Sequence, residues 1–250
     1  MKILYFTATG NCLCAAKRVG GELFSIPKIL KEKKLVFEDD KIGIIFPCYC
    51  LGAPAFMSEF LSKVKLKSDY IFAIMTFGNF AGAGINHFVD IAERNGIKIA
   101  YSNELLMIDN YLPFFDMDEQ IKNEKSKKIE ENLDKIIADI NAKKRKILQK
   151  NFGMKIATFI AQKSYNIALG KRAKNYIVQD NCTGCKVCEK VCAFDNIKVD
   201  KKPVFGDKCE FCLACINLCP TNSIKLKKEK SSARFRNKNV SLNEIISAND

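Results

Sequence analysis

Two cysteine runs constrain this chain more than anything else in it. Cys182, Cys185, Cys188 and Cys192 stand at C-x2-C-x2-C-x3-C spacing, and Cys209, Cys212, Cys215 and Cys219 repeat that spacing with Pro220 directly behind. Three thiolates at two-residue gaps let one loop wrap a cubic cluster, and the fourth ligand must then come from elsewhere in the chain. The pattern points to two four-iron, four-sulfur clusters. Structural zinc is the competing reading, but zinc ribbons set their cysteines in pairs, and two zinc ions need no shared fourth ligand. The remaining four of the twelve cysteines are the pairs Cys12/Cys14 and Cys48/Cys50.

The opening Met1–Phe6 reads as a buried strand and lacks the longer apolar region of a secretion signal. No run approaches the roughly 18 apolar residues of a membrane span. The expectation is a cytoplasmic protein whose thiols stay reduced.

Apolar strands alternate with helices over the first 108 residues. Ile3–Phe6, Glu22–Ile26, Lys41–Phe46, Tyr70–Thr76 and a strand within Ile97–Ile108 are separated by helical stretches, one starting near Asn11, one opened by Pro54 and one ending near Asn95. This alternation predicts an α/β domain with a doubly wound, five-stranded parallel sheet. Ligands of such sheets lie at the carboxyl ends of the strands, and the loops there are Thr7–Cys12, Cys48–Ala53 and Phe77–Ala83. Thr7-Ala8-Thr9-Gly10-Asn11-Cys12 joins a strand to a helix, where backbone N–H groups and the helix dipole favour a phosphate.

These loops carry a resemblance. The first is similar to the T-x-T-G-N-T phosphate loop of flavodoxins, with Cys12 in place of the last Thr. The second, Pro47-Cys48-Tyr49-Cys50-Leu51-Gly52-Ala53-Pro54, and the third, Thr76-Phe77-Gly78-Asn79-Phe80-Ala81-Gly82, look like the flavodoxin loops on either side of the flavin ring. The resemblance implies FMN as a cofactor, with Tyr49 and Phe80 as candidates for stacking on the ring. Tyr176–Leu226 resembles bacterial two-cluster ferredoxins, with Ala193 where that family carries proline. In the two-cluster arrangement the fourth cysteine of each run serves the other cluster. That assigns Cys182, Cys185, Cys188 and Cys219 to one cluster, and Cys209, Cys212, Cys215 and Cys192 to the other. The whole order, with Asn110-Tyr111-Leu112-Pro113 after the last strand, resembles a flavodoxin–ferredoxin fusion family of anaerobes. The expected organisation is a flavodoxin-like domain at 1–115, a helical linker at 116–174, a small α+β two-cluster ferredoxin domain at 175–227, and a mobile basic tail at 228–250.

Within the linker, apolar residues from Ile129 to Leu148 recur on one helical face. Phe152–Leu169 is a second helix, expected to pack between the two domains; contact with a membrane surface is the alternative reading. The net charge of +13 gathers at Lys122–Lys150, Lys155–Lys174 and Lys225–Lys238, and Asn151–Lys174 holds five basic residues and no acidic one. Solvated helix faces account for such charge, and a docking surface for an acidic partner is the alternative. No nucleic-acid motif accompanies it, so DNA and RNA are not expected as partners. The lone histidine, His87, is expected to be a helix residue rather than a proton relay, and no catalytic constellation is found. The expected role is electron transfer between FMN, the clusters and redox protein partners. A flavin-dependent reductase of a small organic substrate and a redox-sensing binding protein are the alternatives.

Overall fold

Strands that are apolar on both faces must be covered on both faces, and this requirement organises the larger lobe. The computed structural model describes residues 1–169 and 171–249. The chain runs β1 (Lys2–Tyr5), α1 (Asn11–Val19), β2 (Glu22–Ser25), α2 (Ile26–Glu32), β3 (Val36–Glu38), β4 (Lys41–Pro47), α3 (Phe56–Lys63), β5 (Lys65–Lys67), β6 (Tyr70–Phe77), α4 (Gly84–Arg94) and β7 (Tyr101–Leu106). It continues through α5 (Met117–Lys122), α6 (Ile129–Asn141), β8 (Lys146–Ile147), α7 (Phe152–Ala168), β9 (Tyr176–Val178), α8 (Val187–Lys190), β10 (Ile197–Val199), β11 (Pro203–Phe205), α9 (Ala214–Asn217), β12 (Ile224–Leu226) and α10 (Leu242–Asn249). Six of these strands form a parallel sheet in the order β2-β1-β4-β6-β7-β8. Counted by sheet strands alone, this is the 2-1-3-4-5 order of doubly wound sheets of the flavodoxin type, with one strand added. The central strand β4 is buried except at its two ends, and β6 is buried except at Phe77. The ion pairs of Arg18 with Glu130 and Asp134 tie α1 to α6, while α3 packs on α4 and α4 against β6 and β7. Among the described residues no helix is long and apolar enough to cross a membrane.

Several expectations are corrected by this arrangement. The sheet has six strands rather than five, because Lys146 and Ile147 pair in parallel with Tyr101 and Ser102. Residues 116–150 are therefore no linker: α6 buries Leu133, Ile136 and Ile140 beside β7, and β8 extends the sheet. The helix α7 does not bury its apolar residues. The side chains it turns inward are Thr158, Gln162 and Tyr165. The cysteine-bearing segment shares the main core, with the Phe194 ring 5.8 Å from that of Phe6 and 5.0 Å from that of Phe56.

Residues 228–249 are not a mobile tail. Phe235, Val240 and Ile245 are buried, and α10 packs against α2, β2 and α8. The backbone N–H of Asn237 donates to the Thr9 carbonyl at 2.8 Å. The Asn249 side chain donates to the carbonyls of Thr7 and Val191, both at 3.3 Å. Sparse apolar residues among lysines gave no periodic signal, yet each meets the core. Ile245→Ala is expected to cost about 2–5 kcal/mol in a denaturant titration, as for any buried aliphatic truncation. A cost near zero would return the segment to the status of a loose tail.

Candidate functional site

A cavity of about 530 Å3 opens at the carboxyl ends of β1, β4, β6 and β7, a size within the range of small-molecule and cofactor sites. Three walls come from the loops singled out in the sequence. Thr7, Ala8, Thr9, Asn11 and Cys12 line it from the first loop, Pro47, Cys48 and Tyr49 from the second, and Thr76, Phe77, Gly78 and Phe80 from the third. Gly10, Asn79 and Gly82 do not face it. Gly10 caps α1 at φ 103° and turns toward Asn237 and Val240. Asn79 donates to Asp109 Oδ2 at 3.1 Å and Gln120 Oε1 at 3.3 Å, and Gly82 lies against Leu51 and Thr158.

The first loop keeps several hydrogen-bond donors available to an acceptor. The cap of α1 makes no side-chain hydrogen bond, so the N–H groups of the first turn keep their capacity to donate. Thr7 Oγ1 accepts from Gly10 N at 3.1 Å and Thr9 Oγ1 accepts from Asn110 Nδ2 at 2.6 Å, which leaves both hydroxyl hydrogens for another acceptor. Asn11 is held by its donation to the Ile108 carbonyl at 2.9 Å. Cys12 pairs with the Thr76 hydroxyl at 3.1 Å, and burial pushes its thiol up to about 12.

The second loop turns through Cys50 and Leu51, both at positive φ. Its shape is fixed from α7, where Gln162 Nε2 donates to the carbonyls of Tyr49 at 2.6 Å and Cys50 at 2.9 Å. The Thr158 hydroxyl donates to the Leu51 carbonyl at 3.1 Å and accepts from Ala83 N at 2.8 Å. His87 Nδ1 accepts from Ala53 N at 3.2 Å. Burial, and secondarily Arg94, lowers the histidine pKa, which keeps it neutral and able to accept. It is a loop anchor, in keeping with the structural role expected for it.

The loop after β7 supplies a wall the sequence reading did not place at the site. Ile108, Asp109, Asn110 and Tyr111 line the cavity, with Phe114 and Phe115 beyond them. Burial raises the Asp109 carboxyl above its ordinary range, against the hydrogen bonds it accepts from Tyr111 N and Asn79. The Asn110-Tyr111-Leu112-Pro113 stretch, in the next loop at the same sheet edge, was the available signal. The last wall had no local signal. Ala161 and Tyr165 come from α7, and Phe211, Cys212 and Leu213 from the second cysteine run. The Tyr49 hydroxyl is buried with no hydrogen-bond partner among the described residues. Burial and the nearby Cys212 push its pKa well up.

The two cysteine runs fold alike. Gly184, Lys186 and Asp195 stand at φ 67°, 62° and 51°, and their counterparts Phe211, Leu213 and Asn222 at 54°, 60° and 50°. Side chains rarely hold that region unless the surroundings fix it. Cys182, Cys185, Cys188 and Cys219 line one small hollow. Burial pushes Cys188 up to about 11, and the other three thiols lie near enough to add to the shift. Cys192, Cys209, Cys212 and Cys215 form a second set. Burial raises Cys212 and Cys215, and each also feels Cys192 and Cys209. Backbone N–H groups point at these sulfurs: Asn196 N to Cys192 at 3.4 Å, Phe211 N to Cys209 at 3.4 Å and Ser223 N to Cys219 at 3.3 Å. Burial alone would raise Cys219, but bonds from Thr221 and Ser223 bring it below its ordinary value. All twelve cysteines are free thiols. Among the described residues no three potential ligands converge tightly enough for a single metal ion.

No family model matches the chain, and no curated protein matches it. Among solved structures, a metal-soaked flavodiiron core from Synechocystis sp. PCC6803 aligns with 54% of this chain and 36% of its own, at 12% identity and a TM-score of 0.29. The aligned part thus spans about a third of that protein's length, and a likeness this faint carries no argument.

Proposed function

We propose that this chain is an electron-transfer protein that binds FMN in the cavity and two four-iron, four-sulfur clusters in the cysteine lobe. The observation that carries the reading is that Cys212 belongs to both places. It lines the cavity beside the first three loops, and it neighbours Cys192, Cys209 and Cys215. FMN exchanges one or two electrons and each cluster exchanges one, so the pair would connect two-electron chemistry to one-electron partners.

The residues present suit these groups. The N–H groups opening α1, with Thr7 and Thr9, would take the phosphate. Tyr49 and Phe80 would flank the ring. N–H donors to cysteine sulfur are the contacts that set a cluster's potential, and the repeated left-handed positions shape both loops in one way. Cys182, Cys185, Cys188 and Cys219 would hold one cluster, and Cys209, Cys212, Cys215 and Cys192 the other. A second reading, reduction of a small organic molecule, draws on Asp109, a carboxyl at the cavity wall biased toward its protonated form.

The test is an anaerobic reductive titration of the purified protein followed by visible absorbance. Uptake of about four electrons per chain, two by FMN and one by each cluster, is the expected result. Uptake of about two, with no flavin released on denaturation, would refute the flavin half of the proposal.

A further inference from the structure

Helix α7 is amphipathic with its polarity reversed. Thr158, Gln162 and Tyr165 are each no more than 4% exposed; the first two hold the cavity loops by the hydrogen bonds described above, and the Tyr165 hydroxyl donates to the Glu210 carbonyl at 3.1 Å. Phe152, Ile156, Phe159, Ile160, Lys163 and Ile167 recur at helical spacing on the opposite side. Phe152 is 77% exposed, Phe159 68% and Ile167 69%. Exposed large apolar side chains are ordinary when single, but a contiguous stripe of them marks a surface that something covers.

Charge narrows the occupant. From Asn151 to Lys174 the chain has five basic residues and no acidic one. Among the described residues, neither Lys155 nor Lys163 makes an ion pair, although many other lysines of the chain do. Lys163 lies within the apolar stripe, so a second copy packed on the same face would oppose lysine to lysine. An anionic bilayer surface accepts both features. Phenylalanine and isoleucine enter the headgroup boundary, while lysine stems stretch toward the phosphates.

We propose that α7 docks this protein on the surface of an anionic lipid bilayer, with Phe152, Ile156, Phe159, Ile160 and Ile167 inserted and Lys155 and Lys163 on the headgroups. The inference is independent of which cofactors the chain carries, since it uses only the outer face of the helix. It does have a bearing on them. The inner face, through Ala161 and Tyr165, is a wall of the cavity, so docking would bring that cavity to within about one helix diameter, about 10 Å, of the lipid.

Flotation of the full chain with vesicles tests this. The protein is expected to float with phosphatidylcholine vesicles containing phosphatidylglycerol and to stay behind with phosphatidylcholine alone. The double variant Phe159→Ser, Ile160→Ser is expected to lose at least about tenfold in bound fraction, with an unchanged circular dichroism spectrum because both side chains face solvent. Should that variant misfold, Lys155→Glu, Lys163→Glu leaves the apolar stripe in place and should still abolish preference for the anionic vesicles. Failure to float with either vesicle overturns the proposal. So does equal binding to both, or a dimer of the wild-type chain that the serine variant turns into monomer.

Discussion

Gly78→Ala is expected to leave the sheet folded and remove most of the flavin affinity. A Cβ at position 78 would stand 2.2 Å from the Asp109 Cβ and 2.4 Å from its Cα. The clash involves backbone, so no rotamer change relieves it. Asp109 cannot retreat freely either, since it is held by Tyr111 N at 2.9 Å and by Asn79, while the Gly78 carbonyl accepts from Lys127 Nζ at 2.7 Å. Two walls of the cavity would therefore be forced apart. Overpacking of this kind costs about 1–3 kcal/mol, which is about 5- to 150-fold in affinity. Fluorescence titration of the apoprotein with FMN measures it. Gly153→Ala is the control, because a Cβ there meets only Asn151 Oδ1 at 3.6 Å. Full flavin affinity in Gly78→Ala would show that the cavity does not hold the ring against this loop.

Cys219→Ala is expected to halve the iron, from about eight atoms per chain to about four. The informative point is which cysteines become free. Cys219 lines the hollow of Cys182, Cys185 and Cys188, although it closes the run that holds Cys209, Cys212 and Cys215. Alkylation followed by mass spectrometry should therefore label Cys182, Cys185 and Cys188 in this variant and spare the other three. Labelling of Cys209, Cys212 and Cys215 instead would mean that each run serves its own cluster, against the crossed arrangement.

What the sequence made legible was what local pattern carries. The runs Lys41–Phe46 and Tyr70–Thr76 are apolar between their first and last residues because they are the two central strands, and such runs are read without knowing their neighbours. Strand β8 is two residues long and owes its existence to β7, so no window around Lys146 could reveal it. The loop residues were legible as loops, but facing was not. Gly10, Asn79 and Gly82 sit in the right segments and point elsewhere, since facing depends on what packs behind. The wall at Phe211–Leu213 is far along the chain from every one of the sheet loops it meets, a contact that only the folded chain creates. Helix α7 misled for another reason. An apolar stripe reads as a buried face, and nothing local says that Thr158 and Gln162 would be taken inside to bond the carbonyls of a left-handed turn, with Tyr165 beside them bonding the Glu210 carbonyl.

The contact of Asn249 with Thr7, separated by 242 positions, bears on how the protein comes into being. Synthesis delivers residues 1–9 well before their partners, and the loop they form stays without this backing until Asn237 and Asn249 have left the ribosome. Closing so long a separation is entropically slow. The sheet can assemble before those residues emerge, but the turn at Thr7–Thr9 gains these backbone partners only once Asn237 and Asn249 are available. A nascent chain halted before residue 235 should be folded in its sheet and should bind the proposed FMN less tightly than the full chain does.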